Sequence, residues 1–207
     1  MRLTRVETVG EPRALLIHVT EANEGDLPPR LRGLTDAGFT YAALAVEDWN
    51  RDLSPWTAPP VFGRISFGGL ARGTLDQLMN DILPRLDPAL PKILGGYSLS
   101  GLFALWAQYE TGAFDGVAAV SPSVWFPGWD DYADAHIPHG AAYLSLGDLE
   151  AHTRNKQMAT VADAIRRQCE RFKAIPSTLE WNPGNHFTDP DLRTAKGFAW
   201  AMEMVVR

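Results

Sequence analysis

Apolar runs of strand length alternate along the chain with segments of helical period, a pattern that predicts a mostly parallel sheet covered by helices. Five runs carry the strands: residues 14–19 (ALLIHV), 40–46 (TYAALAV), 92–95 leading into Tyr97, 116–120 (GVAAV) and 141–146 (AAYLSL). A sixth, residues 177–181, is shorter and alternates, as an edge strand does. Between the runs, Leu75, Leu78, Met79 and Ile82 share one helical face, as do Met158, Val161, Ile165, Cys169 and Phe172. Near the C-terminus Leu192, Ala195, Phe198, Ala199, Met202 and Val205 form a third stripe. Each stripe predicts a helix packed on the sheet. The residues with chemical potential cluster just after the predicted strands, where open parallel sheets keep their sites.

Composition narrows the class. Domains run to roughly 150 residues, and no Pro/Gly/Ser-rich or single-charge run divides this chain of 207, so residues 1–207 are read as one domain. With 45% hydrophobic and 21% charged residues, a disordered or collagen-like chain is excluded. Purely apolar stretches such as residues 42–46 are far short of the roughly 20 residues a membrane span needs. The first residues, MRLTRVETVGEPR, contain no apolar secretory core, so the cytoplasm is the expected location. Cys169 is the single cysteine, which excludes an internal disulfide and a cysteine-rich zinc site. With 19 Lys and Arg against 25 Asp and Glu, the net charge is −6, and the scattered cations argue against a nucleic-acid partner.

The most specific segment is residues 93–104, ILGGYSLSGLFA, where an apolar run ends in Gly96, Tyr97, Ser98, Leu99, Ser100, Gly101 and passes directly into a helical pattern. It has the form of a nucleophile elbow, the strained strand-to-helix turn that lifts a serine hydroxyl above a sheet and needs small residues two positions away on either side. The usual pattern is Gly, any, Ser, any, Gly; here Ser100 occupies the second glycine position and Gly101 follows. Taken alone, the hexapeptide reads equally well as an ordinary Gly/Ser turn.

A serine nucleophile needs a base within hydrogen-bond reach and an acid that orients the base. In the α/β-hydrolase arrangement the order is Ser, then Asp or Glu, then His, each in a loop after a later strand. His18 lies inside an apolar strand and reads as a core residue, His136 and His139 sit in a polar loop, and His152 falls at an expected helix start. Only His186, in NPGNHF, follows the last predicted strand. The loop after AAYLSL offers two carboxylates, Asp148 and Glu150. A metal site built on His136, His139 and the nearby Asp130, Asp131 and Asp134 is disfavoured, because Pro138 breaks the helical face the two histidines would share; a solvated acidic loop is expected instead.

On these residues the chain resembles the esterase group of the α/β-hydrolase superfamily that includes enterochelin esterase-like and esterase D-like enzymes. GGYSLSGLFAL is similar to that group's nucleophile block, and FDGVAAVSPSV to the strand and loop after it. Asn50, Arg51, Asp52, Leu53, Ser54 and Pro55 resemble its Arg-Asp-Leu-Thr-Pro type of segment, and Phe67, Gly68 and Gly69 its glycine-rich helix entry. The resemblance runs from about residue 14 to the C-terminus. It implies a reduced α/β-hydrolase fold, a mostly parallel sheet of about six strands with helices on both faces. The implied activity is hydrolysis of a small-molecule carboxylic ester or thioester without metal or organic cofactor. The acid loop of α/β-hydrolases commonly reads Gly, any, any, Asp or Glu, which favours Glu150 and makes Asp148 a loop-shaping residue, with Asp148 kept as the alternative acid. On the same pattern the Leu99 N–H supplies one oxyanion donor.

Two departures accompany the resemblance. The segment before Ala14 has room for one short strand where larger members have two or more, so the sheet is expected to be reduced. The loop after ALLIHV reads Thr20, Glu21, Ala22, Asn23 and lacks the His-Gly or Asp-Gly turn that usually gives the second oxyanion donor; the candidates left are the backbone of residues 20–22 and the segment around Trp49 and Asn50. Five tryptophans, Trp49, Trp56, Trp125, Trp129 and Trp181, fall in or beside loops at the expected strand ends, and at least two of them are expected to cap the core. Arg51, Trp56 and Trp125 are the expected substrate-binding residues. The resulting expectation is a Ser98, Glu150, His186 triad acting on an ester. A thioesterase or peptidase on the same scaffold and a non-catalytic ligand-binding protein are the alternatives.

Overall fold

In the computed structural model, residues 1–21 and 27–206 are described. A seven-stranded sheet runs in the order β1 (Arg2–Val9), β3 (Gly38–Ala45), β2 (Pro12–Thr20), β6 (Lys92–Tyr97), β7 (Gly116–Val120), β8 (Ala141–Gly147), β9 (Ser177–Asn182). Six of the strands are parallel, and β1 pairs antiparallel with β3. The six apolar or alternating runs of the sequence are these six parallel strands. The seventh, β1, exceeds the expected six because it carries no apolar run. RLTRVETV alternates half-buried and exposed side chains along one edge, as a strand solvated on one face must. A short two-stranded sheet, β4 (Thr57–Ala58) with β5 (Phe67–Gly68), folds the long connection after β3.

Strand period sorts the central side chains into two layers. Leu15, Ile17 and Val19 of β2 point with Ala42 and Leu44 of β3 into one core, while Ala14, Leu16, Phe39, Tyr41 and Ala43 point into the other. On the first face pack α3 (Ala71–Gln77), which continues through a π turn at Leu78–Ile82, α4 (Leu99–Glu110), α5 (Trp129–Asp134) and α6 (Val161–Arg171). On the second pack α1 (Leu27–Arg32) and α7 (Pro190–Val205). Residues 49–52 form a single helical turn, α2 (Trp49–Asp52), capped by Asp48, whose side chain accepts from the Arg51 N–H.

The three predicted stripes face the sheet, with Met79, Met158 and Cys169 half-buried, but the α7 face is centred differently from the expected one: Arg193, Thr194 and Gly197 are buried, whereas Leu192, Ala199 and Val205 are only half-buried. Asp130, Asp131 and Asp134 lie on α5 and not in a loop, because Gly128 at φ 81° turns the chain into a helix at Trp129. His152 follows the turn at residues 148–151, six residues ahead of the short helical turn at Met158–Thr160 that leads into α6. Among the described residues no helix is long and apolar enough to cross a membrane.

Parallel pairing places the C-terminal ends of β2, β3, β6, β8 and β9 on one side of the sheet, and with them the segments that begin at Glu21, Val46, Ser98, Asp148 and Pro183.

Candidate active site

Strand β6 ends at Tyr97 and α4 starts at Leu99, so Ser98 is the whole connection, held at φ 62°, ψ −120°. A non-glycine residue there is strained. Its backbone is fixed on both sides, the N–H donating to Val120 O at 3.0 Å and the carbonyl accepting from Leu102 at 3.1 Å and Ser123 at 3.1 Å. The departure at Ser100 is accommodated: this buried side chain donates to Tyr97 O at 2.9 Å and lies against Gly96, where any Cβ would fall 2.2 Å from Ser100 Oγ. Glycine at 96 makes serine at 100 possible. Leu99 stands at the first position of α4, where a backbone N–H has no intrahelical acceptor.

His186 Nε2 lies 3.1 Å from Ser98 Oγ, and His186 Nδ1 lies 2.6 Å from Glu150 Oε2. The loop carrying His186 is shaped by Gly184 at φ 98° and by Asn185, whose side chain accepts from the Phe187 N–H at 2.9 Å. The Tyr97 hydroxyl donates to the His186 carbonyl at 2.7 Å. Of the two candidate carboxylates, Glu150 meets the histidine. Asp148 is exposed and accepts from the Gly184 N–H at 2.8 Å, tying the two loops together.

Glu150 is almost wholly enclosed, with 4% of its side chain exposed. Its second oxygen, Oε1, accepts from Ser121 Oγ at 2.6 Å, from the Gly147 N–H at 2.7 Å and from Arg193 Nη1 at 3.1 Å. Burial by itself would push this carboxyl up, but the hydrogen bonds from His186, Ser121 and Gly147 outweigh it and hold the group below the ordinary carboxylate range. Ser121 and Arg193 join the site without having been marked by a motif, and Tyr97, already part of the serine turn, adds a contact to the His186 loop. Ser121 had a signal, since it follows β7 as Ser98 follows β6, and it too has a positive φ, 43°. Arg193 had a weaker one, as a charge set among apolar residues near the start of α7.

A cavity of about 410 Å³ opens at Ser98 and is lined in part by His18, Thr20, Trp49, Tyr97 and His186. Thr20 and Trp49 keep both proposed regions for a second oxyanion donor beside the cavity; Ala22 and Asn23 lie outside the described residues. His18 is a core residue, as expected: its Nδ1 pairs with Tyr41 OH at 2.8 Å, and burial lowers its pKa to about 4.

The three expected substrate-binding residues are not among those lining this cavity. Arg51 directs Nε to Asp52 Oδ1 at 2.7 Å, and Asp52 in turn accepts from the Asp48 N–H at 3.0 Å, so the Asn50 to Pro55 block shapes its own loop. Trp56 donates to Pro127 O at 2.8 Å and packs on Phe126 and Tyr132. Trp125 is buried against Phe67. Trp129 is a core residue bonded to Gln168, and Trp181 lies on β9 beneath Arg166; of the five, Trp49 alone is among the cavity-lining residues. The metal alternative finds no support, since Asp130 and Asp134 pair with Arg167 and Arg171, and no group of three His, Cys, Asp or Glu suited to a metal occurs among the described residues.

The order of the sheet, the serine turn after its fourth strand and the acid and histidine loops after its sixth and seventh define an α/β-hydrolase fold. Solved structures of that fold superpose on the chain. An IroE-like serine hydrolase from Shewanella oneidensis matches with a TM-score of 0.76 and 14% identity over 92% of this chain and 70% of its own. The enterobactin esterase FES from Shigella flexneri gives 0.72 and 18% over 96% of this chain, which spans 54% of that longer protein. An S-formylglutathione hydrolase from Agrobacterium tumefaciens gives 0.59 and 12%, covering 94% and 85%. At these identities the likeness is one of fold. No protein-family model and no curated protein matches the sequence.

Proposed function

We propose that the protein is a serine hydrolase that cleaves a small-molecule carboxylic ester through an acyl-enzyme on Ser98. The observation that carries this reading is the continuous chain of contacts from Ser98 Oγ through His186 to Glu150, at 3.1 and 2.6 Å. His186 Nε2 takes the Ser98 proton as Oγ attacks the ester carbonyl, then returns it to the departing alcohol; water repeats the sequence and frees the acid. Glu150 holds Nδ1–H and stabilises the imidazolium, without itself taking the proton. The Leu99 N–H and one donor from the Thr20 or Trp49 side receive the developing oxyanion. That the fold is shared with an enterobactin esterase and an S-formylglutathione hydrolase supports ester or thioester chemistry.

A fluorophosphonate probe followed by peptide mass spectrometry tests the assignment, with p-nitrophenyl esters and matched thioesters assayed beside it. The adduct is expected on Ser98, with labelling and turnover both lost in Ser98→Ala. Labelling that survives Ser98→Ala and vanishes in Ser100→Ala would move the nucleophile to Ser100. A thioester rate exceeding every ester rate would replace esterase by thioesterase.

A further inference from the structure

The cavity at Ser98 is acidic and aromatic. Glu21, the residue after β2, and Asp191, in the first turn of α7, both line it, and neither side chain makes a hydrogen bond or ion pair with a described residue. Asp191 also complements the positive end of α7, which accounts for a carboxylate in that turn but not for its sharing a cavity with Glu21. Among the described lining residues there is no Lys or Arg. Two cations of adjoining segments are engaged elsewhere: Arg193 is buried on Glu150 and the Pro183 carbonyl, and Arg51 is held by Asp52. Three rings share the cavity, those of Trp49, Tyr97 and Phe187, the last 85% exposed at its edge.

Carboxylates with no partner among the described residues raise the cost of bringing an anion to Ser98, whereas an alkylammonium group gains from both the charges and the ring faces. A neutral ester is indifferent to the charges. We infer that the substrate is an ester carrying a positively charged alkylammonium group, received by Glu21, Asp191 and the aromatic rings beside Ser98. This rests on the hydrolase reading above and adds a substrate class to it. The cation can belong to the acid or to the alcohol, and the test distinguishes the two.

In the first arm, the p-nitrophenyl ester of 4-(trimethylammonio)butanoate is compared with that of 5,5-dimethylhexanoate, in which a tert-butyl group replaces the cation, and with the glutarate monoester. In the second, butanoylcholine is compared with 3,3-dimethylbutyl butanoate. The expected result is a kcat/KM about tenfold higher for the cationic ester than for its neutral isostere in one arm, with the glutarate lowest. That ratio should fall toward one in the Glu21→Gln/Asp191→Asn double variant and shrink with added salt. The arm that shows it identifies the side of the ester bearing the charge. Neutral isosteres hydrolysed as well as the cationic esters in both arms would overturn the inference and leave the hydrolase reading intact. If no ester is hydrolysed, NMR titration of the protein with choline and with 3,3-dimethylbutanol decides independently. Selective choline binding would keep the cation site while the hydrolase reading falls; equal or absent binding would remove both.

Discussion

Arg193 Nη1 lies 3.1 Å from Glu150 Oε1, on the carboxylate oxygen that His186 does not contact. The guanidinium is 2% exposed, and its other end donates to the Pro183 carbonyl at 2.8 Å, at the base of the loop that carries His186. One buried cation thus joins the carboxylate to the loop that must present the imidazole to it. Arg193→Met removes the charge while roughly keeping the volume, and leaves Glu150 buried with one fewer donor. Breaking a buried pair in this way costs about 3 kcal/mol, so the denaturation midpoint should fall. If Arg193 positions the histidine loop, kcat should also fall by roughly tenfold or more with KM little changed. Loss of stability with an unchanged kcat would make Arg193 a packing residue only.

The two carboxylates of the β8 loop should separate kinetically. Glu150→Gln keeps the shape but presents an amide to His186 Nδ1 and favours the wrong tautomer, and in a serine triad that change costs about 10⁴ in kcat. Asp148→Asn keeps an acceptor for the Gly184 N–H and should cost little. Steady-state rates of the two variants on one activated ester check this, and a larger loss in Asp148→Asn would transfer the orienting role to Asp148.

What the chain disclosed in advance follows from how local each signal is. The six parallel strands are apolar or alternating runs, and the Ser98 turn, the β8 carboxylates and His186 each occupy a short segment next to a run, so order along the chain was enough to nominate them. The segment before Ala14 has room for a short strand, but the full eight residues of β1 carry no apolar run to mark them, because one face of the strand is solvated. Arg193 and Ser121 were missed for a different reason: they acquire their roles only when three strand ends come together around Glu150, a relationship with no sequence period. That Arg51 and Trp56 are not among the residues lining the cavity at Ser98 has the converse cause. Position after β3 placed them at the correct end of the sheet, but whether a side chain enters the cavity or closes its own loop depends on partners such as Asp52 and Pro127.

Gly96 and Ser100 form a size-matched pair, and the elbow should register a change in either. Gly96→Ala puts a methyl group 2.2 Å from Ser100 Oγ and 2.9 Å from the Val19 carbonyl, an overpacking expected to cost about 1–3 kcal/mol. Ser100→Gly alone should be mild, since it restores the common glycine of such turns. In the double variant the Ser100 part of the clash is gone and the Val19 part stays, so partial recovery is expected. A double-mutant cycle on the urea midpoint measures the coupling; strict additivity would mean that the two residues do not constrain each other.

His18 should make the protein sensitive to mild acid. Buried beside Tyr41, it has a folded-state pKa of about 4 against an ordinary 6.5. Above pH 6.5 both folded and unfolded chains hold the neutral ring and the residue contributes nothing to the pH dependence. Between 6.5 and 4 the unfolded chain binds the proton and the folded chain does not, so stability falls as pH falls, by about 3 kcal/mol across the window. Glu150, held below its ordinary value, acts in the same direction at lower pH, because its hydrogen bonds are lost when it protonates. In His18→Asn, which keeps an amide near the Tyr41 hydroxyl, the unfolding free energy should vary less between pH 6.5 and 4. An unaltered pH profile would show that the His18 ring protonates as readily folded as unfolded.

The cavity and the aromatic cluster behind it predict opposite behaviour for two tryptophans seven residues apart. Trp49 lines the space at Ser98, so Trp49→Ala should alter the ranking of substrates, with bulky or cationic acyl groups losing more kcat/KM than acetate esters. Trp56 donates to the Pro127 carbonyl and packs on Phe126 and Tyr132, away from the cavity lining. Its truncation should lower stability by about 3 kcal/mol or more and depress all esters by a similar factor. Arg51→Ala should resemble Trp56→Ala in leaving the ranking unchanged, because its guanidinium is engaged by Asp52. Measuring kcat/KM for short aliphatic, bulky aryl and cationic esters in the three variants, with thermal melts alongside, separates the roles. A reordered panel in Trp56→Ala with an unchanged melting temperature would show that the segment after β3 reaches the substrate, and that the cavity extends beyond the residues that line it at Ser98.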